Sequence, residues 1–247
     1  TDTSNSIVAP GLYHGIVGLR PSTGVLSGKG IIPISFTLDT AGPFTRTVAD
    51  AATMFAGLTD TPVIQADYDL KGKTIAFNEW NIEKVSKDTV ARTEEVLREL
   101  EKAGASIKRI YIERTPHILS IMKYEFKYAM NEYLNTLAQD YPIRSLEDII
   151  AFNNQNKEKT LKYGQTHLVD SQRNTSGKMN ETLYQVVLKD REERKRKIRE
   201  KLQDVDFCIM LSYSNILMYT GMPVITIPCG LGNDNMPFGI QMTALTD

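Results

Sequence analysis

The sequence predicts an α/β fold, a central mixed sheet flanked by helices, and three observations carry that reading. Residues 73–112 run strand, helix, strand. Long stretches between residues 116 and 202 carry helical periodicity. Two apolar runs, residues 206–211 and 223–230, are short enough for buried strands.

Taken in order, Thr47 is the expected N-cap of a helix in which Val48, Ala51, Ala52, Met54, Phe55 and Leu58 form an apolar stripe on one face. Residues 73–77 read as a short strand. Ser86 caps the next helix, whose buried side carries Val90, Val96, Leu97 and Leu100, and Gly104 ends it. Residues 105–112 then alternate as a half-buried strand should. Strand, helix, strand in this order is a βαβ unit, so parallel pairing and a right-handed crossover are expected.

From residue 116 to 141 the apolar positions, among them Ile118, Ile121, Met122, Phe126 and Met130, spread over a wide arc, which predicts a helix packed on more than one side. Further helices are expected over residues 146–153 and from about 181 to 202. Between them, residues 157–178 are polar and broken at Gly164–Gln165 and Ser176–Gly177, which favours a surface excursion. The chain returns to strands at 206–211 and at 223–230, the latter bounded by prolines.

Composition narrows the class. A chain of 247 residues with 41% hydrophobic content can bury a real core as one large domain or two small ones. A net charge of −1 supplies no global field for nucleic acid or a membrane surface. Cys208 and Cys229 are too few and too far apart for a disulfide framework or a metal site, so they are expected reduced, in a cytoplasmic protein. No apolar run approaches the length of a membrane span.

The chemistry concentrates at the start. Residues 1–7, Thr-Asp-Thr-Ser-Asn-Ser-Ile, form a compact polar turn entering an apolar segment, which can set several backbone N–H groups beside one serine hydroxyl. Alone, Ser6 would read as a turn serine satisfying nearby backbone groups. The wider pattern changes that reading. Residues 15–24, 30–33 and 38–50 follow in order, with 221–230 and 237–242 near the end, and together they resemble the signature of the amidase signature family of serine hydrolases.

The resemblance implies that Ser6 is the acylated nucleophile in hydrolysis of a small-molecule carboxamide. The backbone N–H groups of Thr3, Ser4, Asn5 and Ser6 would stabilise the oxyanion. It implies no metal and no organic cofactor; no nucleic-acid partner is expected from the charge pattern, while the family's tRNA-dependent branch keeps RNA contact open as an alternative. In the family a buried lysine, kept neutral by desolvation, takes the serine proton through a bridging serine in a cis peptide. Both lie upstream of the nucleophile. This chain starts at Thr1, close before Ser6, and so reads as the C-terminal portion of one amidase signature domain, a partial fold lacking that lysine and serine and expected to be inactive. Within it, residues 1–60 form the signature core, 61–205 a βαβ unit and a variable helical region, and 206–247 the core strands. The resemblance is strong at both ends and weak between 60 and 205. A non-catalytic scaffold or binding subunit and a tRNA-dependent amidotransferase A-type subunit stand as alternatives.

Two local departures accompany the resemblance. Ser4 and Asn5 stand where the family usually has two glycines, and Val8 stands where many members have an arginine, which leaves Asp2 a structural role without its usual partner. Asp39 and Arg46 are expected to fix loops. Among the histidines, His14, His117 and His167, only His14 is near Ser6 in sequence, and that spacing does not bring imidazole to hydroxyl by local geometry. Each reads as a polar surface residue. The basic run over residues 189–201 interleaves acids at helical spacing, the pattern of a solvated face with i,i+4 pairs, and carries no aromatic platform for bases.

Overall fold

The computed structural model describes residues 1–63, 68–211 and 214–245. A short helix α1 (Val8–Tyr13) leads into β1 (Val17–Arg20), which pairs antiparallel with β2 (Phe44–Thr45). In α2 (Val48–Thr59) the expected cap forms, with Thr47 Oγ1 accepting the Asp50 N–H. The βαβ unit follows as β3 (Thr74–Asn78), α3 (Lys87–Lys102) and β4 (Ser106–Ile110). Ser86 caps α3, and β3 and β4 are parallel. The helical middle comprises α4 (Ile118–Asn135), α5 (Leu146–Gln155), α6 (Lys157–Thr160), α7 (Thr166–Asn174) and α8 (Thr182–Leu202). Then come β5 (Phe207–Met210), α9 (Ile216–Thr220), β6 (Val224–Leu231) and β7 (Pro237–Thr243).

Among the described residues the strands form one seven-stranded sheet in the order β2-β1-β6-β7-β5-β3-β4. It is mixed: β3 runs parallel to β4 and β5, and the other pairs are antiparallel. The late strands β6 and β7 sit between β1 and β5, so the last part of the chain bridges the opening segment and the βαβ unit. Pro228 is tolerated in β6 because the register shifts between Pro228 and Gly230, where the ladder needs no donor from it.

Strand alternation sorts the core into two faces. Ile75, Phe77 and Ile209 join Leu97 of α3, with Phe238 and Ile240, in one cluster. Ala76, Cys208 and Met210 point the other way, to Ile118 and Ile121 of α4, Ile198 and Leu202 of α8, and residues 216–219 of α9. The expectation of a partial amidase-signature fold is corrected by this architecture. Residues 61–205 supply two strands to the shared sheet and two helices to the larger apolar cluster, so the middle is continuous with the ends in both hydrogen bonding and packing.

Two other expectations change. In α2 the buried residues are Ala51 and Ala56, while Val48, Met54 and Leu58 are exposed. The helix lies against β1 and β2 with the small side chains of Ala51 and Ala56 buried. Residues 157–178 are not a plain surface excursion. The glycine breaks occur as expected, Gly164 and Gly177 both having positive φ, but α7 forms between them and packs on α4 and α5, burying Ser171. Among the described residues no helix is long and apolar enough to cross a membrane.

Candidate active site

The opening bend is held from both sides. On the near side, the Asp2 carboxylate accepts the Ile7 N–H at 2.7 Å, spanning the turn that carries Ser6. On the far side, the Thr3 hydroxyl donates to Asp39 at 2.7 Å, and Asp39 also accepts the N–H groups of Ile34 (2.8 Å) and Ser35 (3.0 Å). A reciprocal backbone pair, Asp2 N–H to Thr40 carbonyl at 2.8 Å and Thr40 N–H to Asp2 carbonyl at 2.9 Å, ties the bend to the same loop. Ser6 itself is solvent exposed. Beside it, the backbone N–H groups of Thr3, Asn5 and Ser6 meet no acceptor among the described residues.

Close packing fixes where the bend sits. A Cβ on Gly11 of α1 would lie 2.3 Å from Thr226 Oγ1, and one on Gly18 of β1 would lie 2.9 Å from the Ile7 carbonyl oxygen. Only glycine allows α1 to approach β1 and β6 this closely. Thr226 Oγ1 in turn accepts the Gly18 N–H at 2.9 Å, so a side chain on the central strand β6 sets the height of the helix that follows Ser6.

Asp2 does have a cationic partner, which corrects the expectation that it lacks one. Arg20 at the end of β1 reaches Asp2 with Nε at 3.2 Å, and both side chains are fully buried. Its remaining donors go to the carbonyls of Leu38 (2.8 Å) and Met222 (3.0 Å). Burial lowers the Arg20 pKa from its ordinary value, and the charge and hydrogen bond of Asp2 oppose that shift. The guanidinium stays charged, since arginine does not deprotonate in proteins.

The glycine substitutions are accommodated without left-handed backbone. Among described non-glycine residues, positive φ occurs at Asp60, Asn81, Met179 and Asn235, and neither Ser4 nor Asn5 is among them. The bend therefore does not use the conformation that only glycine adopts freely. Asn5 Oδ1 is buried there without a hydrogen-bond partner.

Other sequence-derived candidates lie outside the bend. His14 is exposed at the far end of the six-residue α1, on the order of 9 Å of helix from Ser6, and its Nδ1 is 2.9 Å from the Pro10 carbonyl. His117 caps α4 through its backbone, and His167 lines a cleft elsewhere. Asp39 fixes its loop as expected, whereas Arg46 is exposed with no partner among the described residues. The basic run of α8 pairs within its own helix, Arg194 with Asp190, Arg196 with Glu200 and Lys197 with Glu193. Cys208 is buried and Cys229 exposed, both as free thiols, and burial pushes Cys208 up to about 12. Among the described residues no cluster of His, Cys, Asp or Glu is placed to hold a metal ion.

Sequence reasoning missed Glu125. It is fully buried on α4, in line with Ile118, Ile121 and Ala129, and its carboxylate receives Ser35 Oγ (2.5 Å), the Thr37 N–H (3.1 Å), the Thr37 hydroxyl and the Tyr184 hydroxyl (2.7 Å). The signal was present: an acid four residues after Ile121 on an apolar stripe marks a buried charge that must find donors. The same helix lines a cleft of about 420 Å³ facing α7, with Ile34, Leu119, Met122, Phe126 and Leu168 as its apolar wall. Lys123 and Asp170 pair at 2.9 Å at this cleft, and that hydrogen bond holds the Asp170 carboxyl below the usual carboxylate range.

Comparison with known proteins identifies the family. A family model described as Amidase matches residues 1–214. The crystal structure of an amidase family protein from Bacillus anthracis superposes with a TM-score of 0.84 at 32% identity, covering 98% of this chain and 52% of that one. The peptide amidase of Stenotrophomonas maltophilia gives 0.82 at 29% identity, covering 99% and 57%. A probable amidase of Arabidopsis thaliana is 27% identical over 99% of this chain and 52% of its own length. The chain thus spans about half the length of these relatives. Similarity running through 98–99% of the chain overturns the expectation that the middle matches weakly, and it counts against reading the chain as an inactive fragment. The companion expectation, that a lysine and a bridging serine are lacking, falls too, since it rested only on where the chain begins.

Proposed function

Because this chain belongs to the amidase family, we propose that its opening bend is an acyl-transfer site for the hydrolysis of a small-molecule carboxamide. The Ser6 oxygen bonds to the amide carbonyl carbon, whose π electrons move to oxygen, and the serine proton passes to a base. In this family that base is a lysine acting through a serine. The tetrahedral intermediate collapses, the C–N bond breaks, and the amine leaves with a proton. Water then releases the acyl group from Ser6. Backbone N–H groups of Thr3, Ser4, Asn5 and Ser6 are the donors assigned to the oxyanion, where such groups act most strongly when fixed in advance.

One observation carries the reading. An exposed serine sits on a bend whose two flanks are pinned by Asp2 and Asp39, beside N–H groups of Thr3, Asn5 and Ser6 that no described residue consumes. A solved relative is a peptide amidase, which supports an amide as the bond broken. The free thiols Cys208 and Cys229 favour a reducing, cytoplasmic setting. The test is labelling with a fluorophosphonate probe, followed by mass spectrometry of the modified peptide. Label is expected on Ser6 and lost in Ser6→Ala. A protein that stays unlabelled while a control serine hydrolase reacts would sink the assignment.

A further inference from the structure

Glu125 is buried without a cation. Among the described residues no lysine, arginine or histidine pairs with it, and its carboxylate is held by three hydroxyls and one backbone N–H. Burying a carboxylate on neutral donors costs desolvation free energy that an apolar residue at this core position would avoid. What the carboxylate gains is geometry. Ser35 and Thr37 begin a tight turn in which the N–H groups of Leu38 (3.2 Å) and Asp39 (2.8 Å) both donate to the Ser35 carbonyl.

That turn reaches both flanks of Ser6. Asp39 accepts the Thr3 hydroxyl on one side. On the other, the Leu38 carbonyl accepts Arg20 Nη2, Arg20 pairs with Asp2, and Asp2 accepts the N–H of Ile7, the residue after Ser6. We propose that Glu125 is a positioning residue for acyl transfer. From α4 it clamps the turn spanning residues 35–39 and, through Asp39–Thr3 and Leu38–Arg20–Asp2, sets the aim of the Ser6 hydroxyl and its oxyanion donors. The inference rests on Ser6 being the nucleophile. Tyr184 completes the clamp from α8, and burial raises its hydroxyl pKa, with the Glu125 hydrogen bond adding to the rise, so it stays a donor across the working pH range.

The experiment compares the rate of fluorophosphonate labelling, and kcat and KM on a small carboxamide, in wild type, Glu125→Gln and Tyr184→Phe. Thr47→Ala, which removes the cap of α2 and no contact of the clamp, is the control for lost stability alone. A nucleophile displaced by about 1 Å loses on the order of 100-fold in rate, so Glu125→Gln is expected to lower kcat roughly 10- to 100-fold with KM within about 3-fold. Tyr184→Phe, which removes one donor of four, is expected to lose about 3- to 10-fold and serves if Glu125→Gln does not fold. Combining Glu125→Gln, or Tyr184→Phe in its place, with Thr3→Val should lose less than the product of the single losses, because both cut one path. Unchanged kcat in the folded variants, a loss confined to KM, a fall matched by Thr47→Ala, or losses that multiply would each overturn the positioning role. Label on Ser6 of the wild type with unchanged variants sinks this inference alone, whereas an unlabelled wild type sinks the nucleophile assignment and this inference with it.

Discussion

Asp2 and Glu125 are buried carboxylates tied to one segment, residues 35–40, and they are held in opposite ways. Asp2 relies on one guanidinium and one backbone N–H. Glu125 gathers four neutral donors from two other segments, the turn at Ser35 and Thr37 and the helix bearing Tyr184. The first arrangement concentrates its electrostatics in a single contact, so losing either partner strands the other. The second spreads it over many small contacts, so no single donor is decisive for stability while all of them restrict the turn.

The comparison is tested most severely at Asp2. Asp2→Asn leaves the Arg20 guanidinium buried without a counter-charge and is expected to cost about 3–5 kcal/mol, measured as a lower denaturant midpoint. Adding Arg20→Met should recover part of that cost, since the stranded charge is then gone. A cost for Asp2→Asn below about 1 kcal/mol would mean the pair carries no concentrated energy, and the contrast would collapse. A smaller effect is expected at the other carboxylate. Ser35→Ala removes one donor to Glu125 and leaves three, so about 1–2 kcal/mol is expected from the same unfolding experiment. A loss equal to that of Asp2→Asn would show that the donors act as a unit instead.

The smallest effect belongs to a half-buried carboxylate. Asp206 accepts the Thr74 N–H at 2.9 Å and pairs with Lys73 at 3.0 Å, and these hold its pKa below the ordinary value, the backbone bond contributing most. A carboxyl depressed in the folded state stabilises fully above the unfolded value, near about 4, and that contribution disappears as pH falls through the lower folded value. Asp206→Asn is therefore expected to flatten the acid side of the stability profile slightly and leave its neutral plateau shape intact. An unaltered acid limb would show that water competes successfully for this carboxylate.

The parts of the molecule legible in the sequence share one property: their causes are local. The Thr47 and Ser86 caps each accept an N–H three residues on, and the βαβ unit follows from strand and helix periods. The bend at Ser6 was legible locally as one short polar turn before an apolar segment, but its chemistry came only from the family resemblance of the wider pattern. What holds that bend was not legible. The stripe on α2 was right only in part: Ala51 is buried and Ala52 and Phe55 are half-buried, but Val48, Met54 and Leu58 are exposed and Ala56 is buried in their place. Glu125 broke the period of α4, but a broken period names no partner.

By itself, then, the sequence determined the α/β class and the helix starts at Thr47 and Ser86, set by interactions within a few residues, while Ser6 became the candidate nucleophile only through a resemblance spread along the chain. Only the tertiary structure decided that β6 and β7 lie between β1 and β5, that Asp2 meets Arg20 across 18 residues, and that Glu125 meets Ser35 across 90. The physical reason is that a buried charge specifies its need for donors and not their address. The address is fixed when the sheet closes and brings distant segments into one desolvated volume.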